Sequence, residues 1–116
     1  MDFAAAIAAH SLWKSKLRRY ISNPDHSLNP ATITKDDECD LGKWIVAESR
    51  VHAANPKFNE LRREHTRFHA LAGDLVRRAD AGQKVASEVE LSASSEYSKC
   101  TTKVVQLLGQ LRDRKN

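Results

Sequence analysis

The strongest constraint on this chain is a helical spacing of apolar residues that proline-containing pairs cut into segments. Phe3, Ile7, Trp13, Leu17 and Ile21 recur every three or four positions, with His10 on the same stripe, which is the pattern of one buried helical face. Asn23-Pro24 stops that helix near Ser22, because the residue before a proline is driven out of the helical region. From Asn23 to Asp37 the chain turns to Pro, Asn, Ser, Thr and Asp, and Pro24 and Pro30 exclude a long helix there, so this stretch reads as the main loop. A short second helix is expected from about Glu38–Asp40 to Ser49, burying Leu41, Trp44 and Ile45, with the acidic run Asp36, Asp37, Glu38 and Asp40 suited to its positive end. Asn55-Pro56 reads as an N-cap followed by proline in the first turn. It opens a long third helix ending near Gly82, with Phe58, Leu61, His65, Phe68, His69, Ala72, Leu75, Val76 and Ala79 on one face. A fourth helix carries Val85, Val89, Tyr97, Cys100, Val104, Leu107, Leu108 and Leu111, with Ser92–Ser95 as a weak point.

Three long helices and one short one predict an all-α four-helix bundle. At 116 residues, the chain is read as one domain spanning residues 1–116. Only four Gly and three Pro occur, too few for a turn-rich β-sandwich. With 41% apolar residues and a mean hydropathy of −0.58, there is enough core material to exclude a disordered tail. No apolar run approaches the roughly 18 residues of a membrane span, so no membrane insertion is expected. Phe3–Ala9 is preceded by Asp2 rather than by a basic segment, which argues against a secretory leader and for a cytoplasmic protein. In that compartment Cys39 and Cys100 are expected to stay reduced. The net charge of +4 comes from scattered basic residues without interleaved aromatics, so a solvated surface is expected rather than nucleic-acid binding.

A bundle that needed only packing would not place histidines on its apolar faces. A single buried histidine is ordinarily a core residue with one hydrogen bond, and a buried cysteine is often only a small hydrophobe. His65 and His69, however, lie four apart and project from one side of the third helix, an arrangement that recurs in zinc sites. With His10 on the first helix and Cys39 at the start of the second, they supply three imidazoles and one thiolate, a complete tetrahedral set for Zn²⁺. A closed set leaves no position for a substrate water, which favours a structural or sensing site over catalysis and gives no reason to expect an enzyme. A cysteine hydrolase would also need an oxyanion hole and an orienting carboxylate, and the sequence identifies neither.

The motifs His10-Ser11-Leu12-Trp13, Cys39-Asp40-Leu41-Gly42-Lys43-Trp44 and His65-Thr66-Arg67-Phe68-His69 resemble, in order and separation, those of the chemoreceptor zinc-binding domain family. Cys-x-Leu-Gly-x-Trp is the most specific of them. The resemblance implies an all-helical bundle with zinc in its core, held by His10, Cys39, His65 and His69. It further implies a bacterial sensory module that regulates a chemoreceptor, a diguanylate cyclase or another signalling protein, in the same chain or a separate one. Its signal would be zinc or an oxidant such as hypochlorous acid acting at Cys39, and a homodimer is compatible with it. The alternative is a zinc-stabilised bundle serving only as an interaction or dimerisation module. Trp13, Leu41, Gly42, Trp44 and Phe68 are expected to wall or pack the site, with Gly42 admitting a close neighbour. His26 and His52 read as surface residues and Cys100 as packing.

Overall fold

The computed structural model describes residues 2–37, 39–86 and 90–113, and among these every regular element is helical. The helices are α1 (Phe3–Ser22), α2 (Pro30–Ile33), α3 (Asp40–Glu48), α4 (Pro56–Asp80) and α5 (Glu96–Asp113). Three are long, α3 is short and α2 is a single turn. Glu38 and Val89 lie outside the described residues, as does the C-terminal Arg114-Lys115-Asn116.

Local chemistry explains the boundaries. Asp2 caps α1 by accepting the Ala5 N–H at 3.1 Å, and α1 ends one residue before the Asn23-Pro24 pair. Asn55 caps α4 through the N–H groups of Lys57 and Phe58, with Pro56 in the first turn. The loop expectation for residues 23–37 needs one correction. Asn29-Pro30 uses the same chemistry as Asn55-Pro56, the Asn29 side chain accepting the Ala31 N–H at 3.0 Å, and it starts α2. The fourth helix also needs correction. Val85 sits in irregular chain rather than on that helix, and at the serine cluster, the expected weak point, the helix is interrupted altogether. Ser95 Oγ accepts the Ser98 N–H at 3.1 Å, so α5 begins with Glu96.

The core joins α1, α4 and α5. Leu17, Phe58, Leu61, Phe68, Val76, Leu91, Val104 and Leu108 are all at or below 1% exposed, a contiguous apolar cluster of the kind that provides most of a bundle's stability. Tyr20, which the sequence pattern did not select, is buried and donates its hydroxyl to the Asp80 carboxylate, tying the end of α1 to the end of α4. Ion pairs link α4 outward, Arg67 to Glu96 on α5 and Arg78 to Glu90. No described helix is long and apolar enough to cross a membrane.

Candidate metal centre

Four side chains from three helices converge. His10 comes from the buried face of α1, Cys39 is the residue that caps α3, and His65 and His69 come from adjacent turns of α4. One ligand atom from each lies within 4.8 Å of every other. The three histidines are buried, at 4%, 1% and 6% exposure, while Cys39 is half-buried.

Each group is held by a specific contact. A carbonyl oxygen can only accept, so the 2.8 Å contact between His10 Nδ1 and the Ala6 carbonyl places the proton on Nδ1 and leaves Nε2 as a lone-pair donor. His69 is fixed in the same way, its Nδ1–H donating to the Ile33 carbonyl of α2 at 2.8 Å. His69 Nε2 then lies 3.0 Å from His65 Nε2, and Cys39 Sγ lies 3.3 Å from His65 Nε2 and 3.6 Å from His69 Nε2. Cys39 is extended, with φ −81° and ψ 163°, and its sulfur accepts the Gly42 N–H at 3.3 Å. The thiol is therefore both a helix cap and a member of the cluster.

These separations can be tested against a zinc ion. Bonds of about 2.05 Å to nitrogen and about 2.3 Å to sulfur, in tetrahedral array, put two nitrogens roughly 3.3 Å apart and nitrogen and sulfur roughly 3.6 Å apart. The edges of 3.0, 3.3 and 3.6 Å among Cys39, His65 and His69 are close to that frame, while the His10 ligand atom lies within 4.8 Å of the other three and would close in on a bound ion. The donor set, three imidazoles and one thiol, is the borderline-soft set that zinc prefers, so the residues fit the ion.

The electrostatics suit a neutral-ligand site. Burial, with smaller contributions from His69 and His10, pushes His65 down to about 3. His10 is likewise lowered, mainly by burial, against the opposing Ala6 carbonyl. Both imidazoles are therefore neutral and able to donate a lone pair. Burial pushes the Cys39 thiol above its ordinary value, the nearby backbone N–H groups opposing and the Asp40 carboxylate adding to the shift. Without a metal the thiol thus keeps its proton, and a bound cation would have to displace it.

Of the expected wall residues, Phe68 is fully buried, with its ring 5.1 Å from that of His10 in an edge-on arrangement. Leu41 lines, with His10 and Cys39, a cleft of about 460 Å³ that leads to the cluster. Trp13 lines a second cleft, of about 440 Å³, together with Cys39 and His69. Trp44 packs on Phe3 and Phe58 with ring centroids 5.5 and 5.7 Å away. His52 is not a plain surface residue, since its ring lies 5.0 Å from that of Phe58 and 5.9 Å from that of Trp44. His26 is exposed and faces Asp80 at 3.7 Å. Cys100 is buried and donates to the Glu64 carbonyl at 3.0 Å.

Gly42 makes its close approach to the turn that precedes its own helix, not to a neighbouring helix. A Cβ there would overlap the Asp36 carbonyl oxygen and lie 2.7 Å from the carbonyl carbon. The same turn is pinned to α4 by the Thr66 hydroxyl, which donates to the Asp36 carboxylate. Sequence reasoning missed Ile33, whose contribution is a backbone carbonyl that no side-chain pattern reveals.

The family model of the chemoreceptor zinc-binding domain matches residues 10–76, a span that holds all four cluster residues. No curated protein and no solved structure matches the chain. The matched span is more than half of the 116 residues, and the chain therefore belongs to the chemoreceptor zinc-binding domain family.

Proposed function

We propose that His10, Cys39, His65 and His69 bind one zinc ion, and that the chain is a cytoplasmic regulatory domain of bacterial signalling which responds to zinc or to oxidants through that site. The convergence of four ligand atoms within 4.8 Å, two of the imidazoles already set in the tautomer that presents Nε2, supports this most directly. Its output would be a chemoreceptor, a diguanylate cyclase or a comparable signalling protein, in the same chain or as a separate partner.

Zinc, when bound, would keep the Cys39 sulfur as a thiolate. The chain's own residues decide which sulfur an oxidant meets. Cys39 is half-buried beside two clefts, whereas Cys100 is 1% exposed and its thiol is pushed up to about 11 by burial. Thiolates are the reactive form, so oxidation is directed to Cys39. Attack of a Cys39 thiolate on the chlorine of hypochlorous acid would form an S–Cl bond and expel hydroxide, and water would then displace chloride from sulfur to give the sulfenic acid, a two-electron oxidation of sulfur with chlorine reduced to chloride. The sulfenic acid is a poorer metal ligand than the thiolate and its added oxygen must be fitted beside the Gly42 N–H, so the tie that zinc would make between the start of α3 and α4 is weakened.

The test is titration of zinc-loaded protein with hypochlorous acid, reading released zinc with a chromophoric chelator and the modified cysteine by mass spectrometry. Zinc release in step with oxidation of Cys39, ahead of Cys100, is expected. Oxidation of Cys39 with zinc retained, or Cys100 oxidised first, overturns the oxidant reading.

A further inference from the structure

One stripe of α4 is used twice. Thr66, His69 and Gly73, spaced by three and four residues, face a single segment of the chain. Thr66 holds the Asp36 carboxylate, His69 holds the Ile33 carbonyl, and Gly73 lies against α2. The contact at Gly73 is a close one. A Cβ there would overlap Thr34 Cγ2 and sit 3.2 Å from the Pro30 carbonyl oxygen. Gly73 is buried in the middle of a helix of 25 residues, where glycine costs about 1 kcal/mol relative to alanine. Close approach of α2 is what the missing side chain allows.

That approach has a consequence for the imidazole. Thr34 closes α2 with its hydroxyl bonded to the Ala31 carbonyl at 2.9 Å, and Ile33, one residue earlier, is the residue whose carbonyl takes the His69 Nδ1–H. If α2 is lifted from α4 at Gly73, the carbonyl leaves with it. His69 then loses the partner that fixes both its tautomer and its ring plane, and such partners of metal-binding histidines typically carry 10–100-fold in affinity.

We infer that Gly73 is a positioning residue for the metal centre: by seating α2 against α4 it places the Ile33 carbonyl on His69 Nδ1 and aims His69 Nε2 at the other three ligands. The inference rests on the zinc-site reading given above. Gly73 itself touches none of the four ligand atoms, and its action runs through the backbone of α2.

The experiment compares the native chain with Gly73→Val, Gly73→Ala and Gly73→Ala/Thr34→Ser, using zinc competition with a chromophoric chelator. In the metal-free proteins it also follows the ¹⁵N and ¹H signals of the His69 ring. Gly73→Val is expected to weaken zinc binding about 10–100-fold and to lose the protected Nδ1–H signal, with helix content by circular dichroism unchanged. Gly73→Ala should weaken binding less, and Thr34→Ser, which removes the overlapping methyl and keeps the hydroxyl bond to Ala31, should restore both affinity and the Nδ1–H signal. Native affinity and an intact Nδ1–H in Gly73→Val overturn the inference, as does a Gly73→Ala defect that Thr34→Ser leaves uncorrected. Failure of the native chain to bind zinc would refute the zinc-site reading, while the Nδ1–H signal would still report whether Gly73 seats the carbonyl on His69.

Discussion

Replacing Gly42 by alanine should damage the metal centre far more than the fold. The new methyl carbon would overlap the Asp36 carbonyl oxygen and start 2.7 Å from the Asp36 carbonyl carbon and 2.9 Å from Asp37 Cα; the carbons alone demand a retreat of roughly 0.8 Å to ordinary contact at about 3.5 Å, and the oxygen, nearer still, demands more. The groups in the way are backbone, so the Asp36–Cys39 turn or the start of α3 has to move. Metal–ligand distances tolerate only about 0.2 Å, several times less than that displacement. The sulfur, held by the Gly42 N–H at 3.3 Å, cannot stay in register with His65 and His69 through such a shift. Zinc affinity is expected to fall at least 10–100-fold, the range seen when a ligand's support is lost. The metal-free fold should change much less. Overpacking costs about 1–3 kcal/mol, and removing a helical glycine returns up to about 1 kcal/mol. Chelator competition measures the first quantity and urea unfolding of metal-free protein the second. Gly42→Ala protein that binds zinc as tightly as the native chain would refute the reasoning, because the close approach would then have no bearing on Cys39.

The pH dependence follows from the raised Cys39 thiol and the lowered His10 and His65. Zinc must displace one thiol proton and none from those imidazoles, so its apparent affinity should rise about tenfold per pH unit between pH 7 and 8.5. Calorimetry in buffers of different ionisation enthalpy should then report close to one proton released per zinc, and a value near zero would contradict a thiol ligand. Because the ligands tie α1, α3 and α4 together, zinc at 100 times its dissociation constant should add about 2.7 kcal/mol to unfolding stability. Unchanged thermal unfolding on adding zinc and on chelation would contradict this link. Leu108→Ala, at a fully buried position of α5 outside the cluster, should cost about 2–5 kcal/mol in urea unfolding and leave one zinc site intact. Loss of metal binding in the folded variant would show that α5 shapes the centre directly.

The helices were legible in the sequence wherever a local signal coincided with apolar spacing. Asn23-Pro24 and Asn55-Pro56 mark the end of α1 and the start of α4 because proline constrains its neighbours in one defined way. The three histidines were legible because histidines on an apolar stripe conflict with packing, and because a separation of four puts His65 and His69 on one face, while Cys39 was legible from its place at a helix start and from the Cys39-x-Leu41-Gly42-x-Trp44 motif. What escaped is backbone chemistry. Asn29-Pro30 carried the same capping signal as Asn55-Pro56, but the polar residues around it hid a helix of only four residues. The Ile33 carbonyl that orients His69 carries no residue identity. Val85 was drawn into the fourth helix by apolar spacing alone, while the Ser95 cap that starts α5 at Glu96 lay inside the suspected weak point. His52 follows α3 in sequence like a surface residue, yet in the turn between α3 and α4 its ring packs on Trp44 and Phe58, a contact that no helical spacing announces.

Elemental analysis tests the central claim most directly, on protein purified without added metal and compared with Cys39→Ala and His65→Ala. About one zinc per chain in the native protein, lost or loosely held in both variants, is the result this account predicts from a four-ligand tetrahedral site. A native chain that carries no zinc and takes up none when it is supplied would contradict it, leaving the four side chains as core residues.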